Sequence, residues 1–201
     1  CYDWLLPVLD QFRRAWPEVD LDIRSSLALK ALPALQRGQV DMVISSDPED
    51  MADVTFQPLF DYAPTMVVAA SRPLAAKGYA EPADLAGETL ITYPMERARL
   101  DVFSQFLDPA GIEPAHVRQV EQTAIALMLI ASGRGVAVMP DWVLRAQAGN
   151  PELVRLPLGR NGLLRRLYAA VRTEDLHQPY MAHVLRLART EPVRLMRAMQ
   201  A

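Results

Sequence analysis

Apolar positions recur along this chain at two spacings. Trp4, Leu5, Val8, Leu9, Phe12 and Trp16 fall at helical spacing, and Pro17 ends that run. Val19, Leu21 and Ile23 alternate with acidic residues, the pattern of a half-buried strand over 19–23. Ser25-Ser26 is a turn and cap signal, and a helix is expected over 27–35. Gly38 breaks it before a short buried strand at 40–44. Strands separated by helices with short connections predict parallel pairing under a helical cover. Strands at 55–60 and 65–70 follow, then a loop-rich stretch with Pro73, Gly78, Pro82 and Gly87.

A second series begins beyond that stretch. Strands are expected at 89–92, 116–120 and 136–139, and helices at 97–107, at 124–132 and from Asp141 onward. Strands at 154–156 and 167–171 and a long helix over 180–199 complete the chain. With 65–70 running out and 167–171 running back as crossing strands, the pattern predicts an α/β body of two Rossmann-like lobes. One lobe takes 1–68 and 174–201 and the other 69–173. In such a body, strand ends and helix N-termini converge on a cleft whose free N–H groups favour an anion such as a carboxylate.

Composition narrows the function. The 201 residues are 51% hydrophobic and 22% charged, with a formal net charge of −3. That balance argues against a domain that grips nucleic acid, which needs clustered Lys and Arg. The densest basic set, Arg160, Arg165 and Arg166, reads as a solvated turn. Cys1 is the sole cysteine, so no disulfide can form within the chain, which fits a reducing compartment. A secretory leader pattern is absent. The longest apolar run, around 123–131, is about half of the roughly 20 residues a membrane span requires. Because the chain opens directly on a helical pattern at Cys1-Tyr2-Asp3-Trp4, with no leading strand, further residues are expected before it.

Motifs for chemistry are missing. The sequence has no phosphate-binding G-x-x-x-x-G-K-[ST], no G-x-G-x-x-G after a strand and no G-x-S-x-G elbow. Gly133-Arg134-Gly135 precedes a strand and reads as a helix C-terminal turn. His116, His177 and His183 lack metal-ligand spacing, and the acidic pair Glu49 and Asp50 sits in a turn. A binding module, without metal or cofactor, is therefore expected rather than an enzyme. Two helices carry more apolar surface than one core stripe needs, 4–16 and 123–132. Each is either deeply buried or presents a second apolar face to a partner.

Several stretches in order resemble the effector-binding domain of LysR-type transcriptional regulators. They are Trp16-Pro17-Glu18-Val19-Asp20-Leu21, Leu35-Gln36-Arg37-Gly38-Gln39-Val40-Asp41, Arg72-Pro73-Leu74-Ala75, Asp84-Leu85-Ala86-Gly87 and Ala131-Ser132-Gly133-Arg134-Gly135-Val136-Ala137-Val138-Met139-Pro140. The last is similar to the family's A-x-G-x-G-[IV]-A-x-[LM]-P. Within the family the likeness is greatest to the branch that controls methionine biosynthesis in response to homocysteine. It is carried by Phe60-Asp61-Tyr62, by Tyr93-Pro94-Met95-Glu96-Arg97-Ala98-Arg99-Leu100-Asp101-Val102, by Pro109-Ala110-Gly111 and by Arg166-Leu167-Tyr168-Ala169-Ala170-Val171-Arg172.

The resemblance implies a type 2 periplasmic-binding-protein-like fold. It also implies a cytoplasmic homodimer or tetramer, and a winged helix-turn-helix with its linker helix lying before Cys1. It places a small effector, homocysteine or a related amino acid or carboxylate, against Cys1, Tyr2, Ser25, Ser26, Ser45, Ser46, Thr92, Tyr93, Thr123, Met139 and Pro140. Arg97 is a candidate carboxylate clamp, as is Arg99. The serines at 25 and 26 either cap a helix or meet the ligand, and Ser45 and Ser46 either meet it or form a turn with Asp47. Self-association is implied through Trp4, Leu5, Val8, Phe12, Ile125, Met128 and Leu129. A periplasmic-type solute-binding protein shares the two-lobed plan and remains the alternative at this point.

Overall fold

The computed structural model describes residues 2–24 and 31–198, and the side chains of these except 2, 3, 146 and 193–198. In chain order the helices are α1 (Tyr2–Ala15), α2 (Ala31–Gln36), α3 (Thr123–Ala131) and α4 (Pro179–Ala198). The strands are β1 (Val43–Ser45), β2 (Val54–Tyr62), β3 (Pro64–Ala69), β4 (Thr89–Thr92), β5 (His116–Gln119), β6 (Val136–Pro140), β7 (Leu153–Pro157) and β8 (Arg165–Arg172). The chain divides into two compact units, Cys1–Asp61 with Arg166–Ala201, and Tyr62–Arg165.

The first unit holds a three-stranded sheet in the order β1-β8-β2, with β1 antiparallel to β8 and Val43 opposite Ala170. α1 buries Trp4, Val8, Leu9 and Phe12 on one face, the spacing that makes an amphipathic helix. The Trp4 ring meets Phe60 edge-on at 5.2 Å. Farther along, Phe12 and Trp16 pack edge-on against His183 of α4, and the Trp16 indole N–H donates to His183 Nδ1 at 2.8 Å. Behind α2, Gly38 takes a φ of 69°, which glycine adopts without penalty. Arg172 stitches that turn to the sheet. Its guanidinium donates to the carbonyls of Leu35 and Val40 at 3.1 and 2.8 Å and pairs with Asp41 at 2.6 Å and Asp175 at 2.7 Å.

The second unit is built on a five-stranded sheet, β5-β4-β6-β3-β7. β4 runs parallel to β5 and β6, while β3 is antiparallel to β6 and β7. The sheet's central strands β3, β4 and β6 are buried on both faces, as an inner layer should be, while the edge strand β5 is exposed along its length. Met66, Val68, Leu90, Val136 and Leu156 join one core with Phe103 and Leu107. Their strand neighbours Val67, Ile91, Ala137 and Met139 join another with Ala126, Leu127 and Ile130 of α3. Each large apolar side chain so buried contributes about 1.5–3 kcal/mol. Gly135, in the turn from α3 to β6, has a φ of 151°, and a Cβ there would sit 2.5 Å from the Thr89 carbonyl oxygen.

Some expected elements differ. The alternating run at 19–23 forms no strand, because it finds no ladder partner among the described residues and its backbone groups stay unpaired by a sheet. The expected helix over 97–107 is broken into a 3-10 turn at Arg97–Arg99 and a π-helical segment at Val102–Leu107. Leu100 between them is extended (φ −94°, ψ 112°), which no α-helix tolerates. The helix from Asp141 is a 3-10 helix, Asp141–Gln147. The expected helix at 27–35 is described only from Ala31 on.

The division into units falls at Asp61/Tyr62 and Arg165/Arg166, earlier than the boundaries of 68 and 174 expected from the sequence. Neither 65–70 nor 167–171 is shared between sheets: β3 lies wholly in the five-stranded sheet and β8 in the three-stranded one. The two residues on the second-unit side of these cuts, Tyr62 and Arg165, share one anchor. Tyr62 donates to Asp101 at 2.6 Å, and Arg165 donates to the other oxygen of the same carboxylate at 2.9 Å. No helix among the described residues is long and apolar enough to cross a membrane.

Candidate functional site

In the second unit, β4, β5 and β6 are parallel, so their C-terminal ends lie at one end of the sheet. Ligands of open α/β sheets sit at such ends. β4 finishes on Thr92, followed by Tyr93; β6 brings Met139; and β5 leads into α3, whose first residue is Thr123. These ends line a small hollow of about 20 Å³, bordered by Ile91, Thr92, Tyr93, Leu100, Val102, Val120, Ala126, Val138 and Met139.

The hollow is apolar inside and polar at one corner. Tyr93 Oη and Thr123 Oγ1 lie 2.8 Å apart and share a hydrogen bond. Gln122 precedes α3 without capping it through its side chain, so the first amides of the helix are open donors at a positive dipole end. The first helical bond in this turn runs from the Ala126 amide to the Gln122 carbonyl, 3.0 Å. Thr92 is 8% exposed, and its hydroxyl is buried with no hydrogen-bond partner among the described residues. A buried hydroxyl left unmade costs about 1–3 kcal/mol, so this atom stands out in an otherwise satisfied sheet.

The structure sorts the expected site residues. Thr92, Tyr93, Thr123 and Met139 come together around this hollow. Pro140 instead pairs with Pro64 at the end of β6. In the first unit the buried Ser45 hydroxyl closes a turn, accepting from the Asp47 amide at 3.1 Å and lying 3.3 Å from its carbonyl; Ser46 donates to the Asp47 carboxylate at 3.3 Å. Cys1, Ser25 and Ser26 lie outside the described residues, and so does the side chain of Tyr2.

Arg97 corrects an expectation. It does not stand ready for a ligand carboxylate, because its guanidinium is committed within the unit. It pairs with Asp108 and grips both oxygens of Glu113 at 2.7 and 2.9 Å, while stacking 4.0 Å over the Phe103 ring. Hydrogen bonds it donates to these carboxylates, Asp108 first, push its pKa above the ordinary arginine value. The basic set also resolves into pairs: Arg165 with Asp101, and Arg166 with Asp61.

The interface expectation divides. Trp4, Val8 and Phe12 are at most 2% exposed in the chain, so they have no surface left for a partner. Leu5 is half-buried. On α3, Ile125 is 45% and Met128 69% exposed, with Leu129 half-buried. Sequence reasoning missed Leu100, Val102, Val120 and Val138 as walls of the hollow and Asp101 as the shared anchor. Of these only Val120 carries a positional signal, lying just past the end of the parallel strand β5, whereas Val138 sits in the middle of β6.

The family model for the LysR substrate binding domain matches residues 1–192. The chain belongs to this family, whose type 2 periplasmic-binding-protein-like α/β fold it shares, and this favours a regulator over a solute-binding protein. Among curated relatives, the HTH-type transcriptional regulator MetR of Escherichia coli (strain K12) is 40% identical over 189 residues, 94% of this chain and 59% of that protein. MetR of Haemophilus influenzae is 35% identical over 181 residues, 90% of this chain and 58% of that protein. The chain thus spans under two thirds of the relatives it matches, and these relatives are transcriptional regulators rather than enzymes. Among solved structures, the regulatory domain of MetR from N. meningitidis aligns with a TM-score of 0.88 at 36% identity, covering 96% of this chain and 89% of that one. Full-length BenM, at 21% identity and a TM-score of 0.77, shares the fold.

Proposed function

We propose that the chain is the effector-binding and self-associating part of a cytoplasmic LysR-family regulator that controls methionine biosynthesis genes in response to homocysteine. The observation that carries the effector reading is the hydroxyl-cornered, apolar hollow at the start of α3. The lining matches a small amino acid in chemistry, and the strand and helix ends part to admit one. Its carboxylate meets the open amides of α3 and the Tyr93 and Thr123 hydroxyls, and its short sulfur-bearing chain packs on Met139 and Val138. Homocysteine is the choice because of the likeness to the MetR proteins over nearly the whole chain. Ser45 and Ser46 remain candidates through the family resemblance.

Binding shifts pre-existing arrangements of the domain or its oligomer. DNA contact belongs to a winged helix-turn-helix outside these residues, and self-association uses the exposed face of α3. Calorimetric titration of the 201-residue chain with homocysteine tests the assignment. Saturable heat is expected, weakened by Thr123→Ala. No heat and no thermal shift at millimolar ligand removes homocysteine as the effector.

A further inference from the structure

Thr92 is an anomaly that carboxylate binding alone does not explain. Its hydroxyl does not share in the Tyr93–Thr123 hydrogen bond, and its residue is 92% buried, counting its 8% exposure against the whole. Around it the hollow is hydrocarbon and thioether: Leu100, Val102, Val138 and Met139. Valine has the same branched shape and suits a strand equally well. A valine at 92 would fill this corner without burying an unpaired donor.

We propose that Thr92 is a specificity-determining residue that reads the side chain of the effector: its hydroxyl meets an acceptor atom on a short aliphatic chain and discriminates against a chain that is hydrocarbon to its end. This rests on the effector site proposed above and adds to it a chemical class, an α-amino acid whose side chain carries sulfur or oxygen about three atoms from Cα. The discrimination comes from the asymmetry of buried hydrogen bonds. A ligand that presents an acceptor satisfies Thr92, whereas one that presents only methyl groups excludes any other partner and leaves the donor unpaired. The sulfur of a thiol is a weak acceptor, so the preference lies at the low end of what a polar contact yields.

The test is a matched pair of probes, homocysteine and norvaline, which differ by a thiol in place of a methyl. Each is titrated into the wild-type chain and into Thr92→Val under reducing conditions. Wild type is expected to bind homocysteine about fivefold or more tightly than norvaline, and T92V is expected to bind the two within a factor of about two while melting no lower than wild type. A preference that survives unchanged in T92V overturns the role of Thr92 while leaving the effector site intact. If wild type binds neither amino acid, the site assignment and the role of Thr92 fall together. Should T92V melt well below wild type or fail to fold, the hydroxyl is structural, and the proposal is likewise overturned.

Discussion

α1 and α3 are both richer in apolar residues than a single core stripe demands, and the two units use them in opposite ways. α1 turns most of its large side chains inward, so that Trp4, Val8 and Phe12 lie in the core while its polar residues Asp10, Arg13 and Arg14 face water, with Leu6 left 53% exposed among them. α3 has no polar face to turn outward. It buries Ala126, Leu127 and Ile130 against the sheet and leaves Ile125 and Met128 exposed. An exposed apolar face costs solubility unless something covers it. The lesson is that apolar content alone does not mark an interface. What matters is whether the residues beyond the core stripe have anywhere in their own unit to go.

The sharpest way to break this contrast is truncation. Phe12→Ala is expected to lower the unfolding free energy by about 3–5 kcal/mol, and Met128→Ala to change it by no more than about 0.5 kcal/mol, both read by urea denaturation. Equal losses would erase the distinction. Next comes the turn that seats the end of α3. Gly135→Ala forces a Cβ toward the Thr89 carbonyl at a φ only glycine favours, and about 1–3 kcal/mol of destabilisation is expected. A neutral result would mean that α3 is free to shift. A charge on the open face, Met128→Lys, is expected to leave the melt unchanged and to move sedimentation toward smaller species.

The smallest effect belongs to the exposed pair Asp61–Arg166. The hydrogen bond from Arg166 holds the Asp61 carboxyl below its ordinary value of 3.8. A carboxylate lowered by folding stabilises above its unfolded pKa and loses that contribution as pH falls through the lowered one. Asp61→Asn should therefore produce a slight drop in melting temperature at neutral pH that fades in acid as pH falls below 3.8 and the carboxyl protonates. A drop that persists there would point to packing instead.

Much of the fold was legible because burial on both sheet faces demands continuous apolar strands. The expected strand at 89–92 coincides with β4, and 136–139 differs from β6 by one residue. The run at 19–23 misled because alternation reports one-sided burial, whereas a strand also needs a neighbour. The candidate site was half legible. Thr92, Tyr93, Thr123 and Met139 were reached by resemblance, since strand ends and helix starts are recognisable locally. Arg97 was not, because its partners Asp108 and Glu113 are remote in sequence. Nor does any local pattern tell a satisfied hydroxyl from an orphaned one; that depends on what the rest of the unit folds around Thr92.

The tryptophans carry a practical consequence. Trp4 and Trp16 lie in one unit, and Trp142 lies in the other with its ring 4.6 Å from Tyr62. The protein is therefore an optical instrument with two channels. A chain with phenylalanine at 4 and 16 would emit from one unit alone, and one with phenylalanine at 142 from the other. Fluorescence from the pair would time the unfolding of each unit separately, and would register ligand arrival where it occurs without an added dye.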